Sequence, residues 1–214
     1  MAESATLSRW MPRRAWEGVV AGGHFGKADE TGVTVLARDA LGIATLIAGE
    51  NGHAALDAAM NQHFGLSLPQ KPVAVRSGSR QVVWSGSGQW LLIADSREGF
   101  RDDLTKLARL AAIADQSDAR AVLSLSGPRV RDLLAKGVML DLHPAAFPVG
   151  TAASTSIAYL GVTLWRGADG PEGPVFEIMV ARSMAGSFWS WLSASAAEFG
   201  YAVTSERDRL ADRG

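Results

Sequence analysis

The sequence predicts an α+β protein built from two similar sheet-plus-helix halves. Three observations lead there. Twice along the chain a hairpin pattern feeds an amphipathic helix, at 81–111 and again at 155–199. The strand runs are short and rich in β-branched residues, with turn residues between them. A chain of 214 residues with 47% hydrophobic content can also bury a sizeable core.

The elements follow in order. Residues 1–20 read as an N-terminal arm, in which Trp10, Met11 and Trp16 stand among Arg9, Arg13 and Arg14. One reading is a loose tail. The other is a contact arm, because Trp and Arg anchor interfaces and exposed tryptophans need cover. Residues 17–32 carry Gly18, Gly22, Gly23, Gly26 and Gly32 and read as loop. Strands are expected at 33–36 and 43–47. A helix is expected at 52–64, with Leu56, Met60 and Phe64 on one face and Asn51 as its N-cap. Pro69 and Pro72 break the chain. A hairpin at 81–84 and 89–94 turns at SGSG and leads into a helix at 98–111, with Phe100, Leu104, Leu107 and Ala111 inward.

The stretch 123–150, LSLSGPRVRDLLAKGVMLDLHPAAFPVG, joins a strand at 121–125 to a helix. Gly127 is placed as N-cap and Pro128 at the first helical position, where its missing N–H costs nothing. Val130, Leu133, Leu134 and Val138 form the inward stripe, and Gly137 is expected to stop the helix in the left-handed conformation. Strands follow at 155–159, 162–165 and 175–181, separated by GADGPEGP, and then a helix at 185–199. The domain is drawn at 21–204, with halves at about 33–113 and 114–204, and 205–214 as a charged, frayed tail.

Several functions are excluded or left without support. The formal net charge of -1 gives no global field toward nucleic acid or anionic membrane, and no basic-aromatic patch of a nucleic-acid module appears. Zero cysteines removes thiolate chemistry and disulfides and accords with a reducing cytoplasm. No apolar run has the length of a membrane span, and the first residues do not have the pattern of a secretory signal. Gly26-Lys27 lacks the rest of a phosphate loop, since Ala21 and Ala28 stand at required positions. No GxGxxG occurs, and around Ser87 the GxSxG pattern fails at Ser85. His24, His53, His63 and His143 have no metal-ligand spacing. Asp118 beside Arg120 reads as a solvated pair. Two readings fit the Pro128 helix start, an anion site on its free N–H groups beside Arg129 and, more simply, an ordinary packed start.

The quoted stretch 123–150, followed by TSIAYLGVTLWR and FEIMVARSMAGSFWSWLSASAAEFG, resembles the gamma subunit of heterotetrameric sarcosine oxidase. The resemblance runs over about 33–201. Its most specific pieces are Ser126-Gly127-Pro128, Asp141 with Phe147-Pro148, Phe176-Glu177, Arg182-Ser183 and Trp191-Leu192. It implies a fold like the folate-binding domain of aminomethyltransferases. It implies membership of a complex that demethylates sarcosine to glycine, passes the one-carbon unit to tetrahydrofolate and makes hydrogen peroxide. It also implies alpha, beta and delta partner subunits carrying FAD, FMN, NAD and zinc. For this chain it implies an assembly role in the cytoplasm, with no catalytic, cofactor or metal residue of its own. Trp10, Trp16, Arg129, Arg131 and Trp189 are the candidate interface residues. Two alternatives stay open. One is the equivalent subunit of an N-methylglutamate dehydrogenase. The other is a stand-alone folate-binding or aminomethyltransferase-like protein, for which Asp118, Glu177, Trp84 and Trp165 are the carboxylates and aromatics of the right type.

Overall fold

Period-two alternation decides which way each strand faces. In VTVLAR, Val33, Val35 and Ala37 share one face, and Thr34, Leu36 and Arg38 share the other. In FEIMVA, Phe176, Ile178 and Val180 oppose Glu177 and Met179. Strands patterned in this way can bury both faces.

The computed structural model describes residues 14–26 and 30–206. In chain order the strands are β1 (Gly23–Phe25), β2 (Val33–Arg38), β3 (Gly42–Ala48), β4 (Ala74–Ser77), β5 (Arg80–Gly86), β6 (Gln89–Ala94), β7 (Ala111–Asp115), β8 (Arg120–Ser126), β9 (Ala152–Ile157), β10 (Leu160–Arg166), β11 (Phe176–Ala181) and β12 (Tyr201–Ser205). The helices are α1 (His53–Phe64), α2 (Phe100–Leu107), α3 (Val130–Ala135) and α4 (Ala185–Ala196). Among the described residues these strands form two sheets. The larger runs β1-β12-β2-β8-β11-β10-β9, and the smaller β4-β5-β6-β3-β7.

The layers are helix, sheet, sheet, helix. Val130, Leu133, Leu134, Phe188 and Leu192 from α3 and α4 pack on Val35, Leu123, Ile178 and Leu164 of the larger sheet. Leu56, Met60, Phe100 and Leu107 from α1 and α2 pack on Leu46, Val82, Trp90 and Leu92 of the smaller. Between the sheets lie Ile43, Val83, Leu91 and Ile93 from one side, and Val122, Ala152, Trp165 and Met179 from the other. The sheets also meet through backbone, where Ala74 N–H donates to Gly150 O and Ala152 N–H donates to Pro72 O.

The α+β architecture and the two sheet-plus-helix layers agree with the sequence reading. Details differ. The smaller sheet is one continuous stretch, 42–115, whereas β2 pairs with β12 in parallel and with β8, so 33–38 belongs with the C-terminal strands. The helix expected at 98–111 ends at Leu107, because Ala111–Asp115 pairs instead with β3 as an edge strand. The glycine-rich loop contains β1, which pairs with β12. Asn51 does not cap α1; it sits at φ 60 and the cap position is Gly52, without a side-chain bond. The cap of α3 is Arg129 rather than Gly127. Gly137 is not left-handed. It is required for close approach, since a Cβ there would lie 2.5 Å from the Trp191 ring.

Candidate functional site

The inner faces of the two sheets carry the groups with unusual chemistry. Arg38, at the end of β2, points into the inter-sheet layer, where its guanidinium meets three carboxylates from three elements. Asp95 after β6 lies at 3.1 Å, Glu177 of β11 at 3.5 Å, and Glu206 after β12 is bonded directly. Arg76 of β4 holds the other oxygen of Asp95. Glu206 also accepts the backbone N–H groups of Asp39 and Ala40, each at 3.2 Å. One network therefore ties the smaller sheet, the larger sheet and the end of β12 together.

Burial sets the electrostatics. The side chains of Arg38 and Glu177 are 16% and 13% exposed. Burial pushes the Glu177 carboxyl up, while Arg38, Ser124 and Arg76 pull it back. Burial alone would lower the Arg38 guanidinium; Glu177, Glu206 and Asp95 outweigh it and hold it up. The Asp39 carboxyl is also raised by burial, against Arg14 and a hydrogen bond from the Trp16 backbone. Directly across the register from Glu177 stands Trp165. The Trp165 indole nitrogen and Glu177 Oε2 are both buried without a hydrogen-bond partner.

Sequence reasoning missed Arg38, Asp95 and Glu206. Arg38 shares the phase of Thr34 and Leu36, opposite Val33, Val35 and Ala37, and only the second sheet, through Asp95, makes that face an inner one. Asp95 and Glu206 follow strand ends, and only the fold brings them to it.

The expected interface residues fare differently. Trp10 lies outside the described residues. Trp16 is not an exposed anchor: it is 2% exposed, packs in the core of the larger sheet, and its indole donates to Val122 O at 2.8 Å. The sequence could not reveal this because the partner lies 106 positions away. Arg131 is not a free contact residue either. It donates to Leu142 O at 2.9 Å and stacks over Phe176. Arg129 is exposed, pairs with Asp132 at 2.7 Å and covers Phe199. Trp189 is half-buried, edge-on to Tyr201. Asp118 pairs with Arg97 rather than Arg120, which donates to Gln116. Of the folate-type residues, Glu177 and Trp165 adjoin, but Glu177 serves Arg38 and Trp165 is 1% exposed. Trp84 packs against the smaller sheet's other face.

The large apolar side chains left in water include Met139, 81% exposed, and Tyr159, 99% exposed. Both line one shallow cleft beside α3. Tyr159 and Ala158 form the β9–β10 turn, both at positive φ, a conformation unfavourable for non-glycine residues. Among the described residues, no three His, Asp or Glu side chains stand together to hold a metal ion, and no helix is long and apolar enough to cross a membrane.

A model of the sarcosine oxidase gamma subunit family matches residues 48–198. The chain belongs to that family. The sarcosine oxidase subunit gamma of an Arthrobacter species is 38% identical over 124 residues, covering 56% of this chain and 59% of that one. The subunit gamma of Corynebacterium sp. strain U-96 is 36% identical over 122 residues, covering 56% and 58%. The matched segment thus spans about three fifths of the curated gamma-subunit relatives. In structure, a chain of the heterotetrameric sarcosine oxidase from Corynebacterium sp. U-96 superposes with a TM-score of 0.71 at 28% identity, over 88% of this chain and 96% of that one. The aminomethyltransferase T of the glycine cleavage system from Bartonella henselae shares the fold at a TM-score of 0.60 and 11% identity, covering 82% of this chain and 48% of that one.

Proposed function

We propose that this gamma-family chain is the gamma subunit of a heterotetrameric sarcosine oxidase and acts in its assembly. The observation that carries the reading is the match to a chain of such a heterotetramer along 96% of that chain's length. In this reading the complex oxidises sarcosine to glycine, passes the one-carbon unit to tetrahydrofolate and reduces oxygen to hydrogen peroxide. The alpha, beta and delta subunits carry FAD, FMN, NAD and zinc, and the complex works in the cytoplasm. The gamma chain supplies a folded surface. The charges around Arg38 are paired within the chain, and Met139 and Tyr159 offer apolar contact.

Co-expression with alpha, beta and delta subunits followed by size-exclusion chromatography tests this. The chain is expected to co-elute with them, and the purified complex to make hydrogen peroxide with sarcosine. Elution of the chain by itself overturns the proposal. Turnover of N-methylglutamate in place of sarcosine reassigns the substrate and keeps the assembly role.

A further inference from the structure

The turn between β10 and β11 holds a carboxylate over a row of hydroxyls. Gly170 and Gly173 exchange backbone hydrogen bonds at 2.9 and 3.0 Å, which closes Pro171-Glu172 into a tight turn. Pro171 stiffens it by fixing its own φ. The base of the loop is held by Arg166, 3% exposed, which donates to the carbonyls of Gly167 and Val175 and pairs with Asp169. So placed, Glu172 accepts a hydrogen bond from Ser126 Oγ at 3.2 Å.

Under this turn lies a cleft of ≈ 250 Å³ on the inner face of the larger sheet. Thr34, Ser124 and Ser126 line it with hydroxyls, and Leu36, Pro171 and Val175 give it an apolar wall. The register explains the row: Thr34 stands opposite Ser126, and Leu36 opposite Ser124. One strand further, opposite Ser124, is Glu177 with its unpartnered Oε2. Among the described residues, no lysine, arginine or histidine lines the cleft.

We propose that this cleft binds a small alkylammonium ion, its N–H groups on Glu172 and the hydroxyls and its alkyl groups on the apolar wall. A carboxylate and hydroxyl oxygens are acceptors for N–H donors, and a charge-assisted bond to Glu172 is the strongest available. A phosphate or carboxylate ligand would meet Glu172 and, among the described lining residues, find no cationic side chain. The same chemistry is offered by a free amine and by a lysine side chain of a partner protein. The site does not depend on which assembly the chain joins.

Amide NMR titration of the full chain tests the site. Dimethylammonium chloride represents the free amine, Nα-acetyl-lysinamide the partner's lysine, and sodium chloride at equal ionic strength is the blank. Saturable shifts are expected at the Thr34, Ser124, Ser126 and Glu172 amides. Tighter binding of dimethylammonium assigns the site to a free amine, and of the lysinamide to a partner. Glu172→Gln, in an exposed turn, is expected to weaken binding about tenfold or more and leave the rest of the spectrum unchanged. Sarcosine, which adds a carboxylate, is expected to bind more weakly than dimethylammonium. Shifts no different from sodium chloride, undiminished binding to the Glu172→Gln chain, or equal binding of sarcosine would each overturn the proposal.

Discussion

On one side of the layer between the sheets, Ile43, Val83, Leu91, Ile93, Val122, Trp165 and Met179 pack without a charge among them. On the other, the same two sheets meet through Arg38, Asp95, Glu177, Glu206 and Arg76. Both parts bridge the same pair of sheets, and they do different physical work. The apolar part is non-directional and stabilises by area removed from water. The ionic part gains little net energy once desolvation is counted, but its geometry admits few alternatives. The contrast suggests that the apolar part holds the sheets together while the ionic part fixes their alignment and the position of the β12 end.

The largest test removes apolar volume. Trp165→Ala is expected to destabilise the chain by about 3–5 kcal/mol in denaturant unfolding, the range for a buried aromatic truncated to a cavity. A loss near zero would mean that the apolar part does not hold the sheets. Next comes Arg38→Met, which leaves carboxylates uncompensated. Complete burial would cost more, but Asp95 is 34% exposed, so about 2–3 kcal/mol is expected. If alignment is its role, the backbone amide shifts around Asp95 and Glu206 will move as well.

The ionic part also carries a pH dependence with a defined sign. The Glu177 carboxyl is raised by burial, so between the ordinary carboxylate range and its raised value the folded chain binds more protons than the unfolded one. Its contribution is greatest below the ordinary range and is lost as pH rises through the raised value. Glu177→Gln is expected to flatten this fall in stability with rising pH, followed by unfolding at a series of pH values. A curve as steep as the parent's would place the dependence on another group, with Asp39, raised in the same way, the first to examine.

The smallest effects separate the two arginines of α3 and its cap. Arg131→Ala loses a bond to Leu142 O and a stacked ring, and is expected to cost about 1–2 kcal/mol. Arg129→Ala breaks a pair more than half exposed on both sides, and after solvent screening is expected to cost under about 0.5 kcal/mol. Thermal or denaturant unfolding of the two variants distinguishes an internal anchor from a surface charge.

Much of this was legible in the residues themselves. The inward stripe of Val130, Leu133, Leu134 and Val138 is buried as spaced, and the hairpin at 81–94 forms with its turn at SGSG. Local periodicity carried those. Misread elements had ambiguous local signals. Alanine-rich 111–115 suits helix and strand alike, and only β3 as a neighbour makes it a strand. Trp16 looked like a surface anchor because its shelter comes from a strand more than a hundred residues away.

By itself the sequence determined the alternation of each strand, the amphipathic helices, and through them an α+β fold of two sheet layers. It also supplied the family resemblance, carried by 123–150 and the strands after it. The tertiary structure alone decided which sheet 33–38 joins, where Trp16 goes, and that Arg38 meets Asp95, Glu177 and Glu206. The physical reason is one of range. Periodicity and propensity act over a few residues, whereas strand pairing and charge compensation depend on which distant segments the packed core brings within a few ångströms.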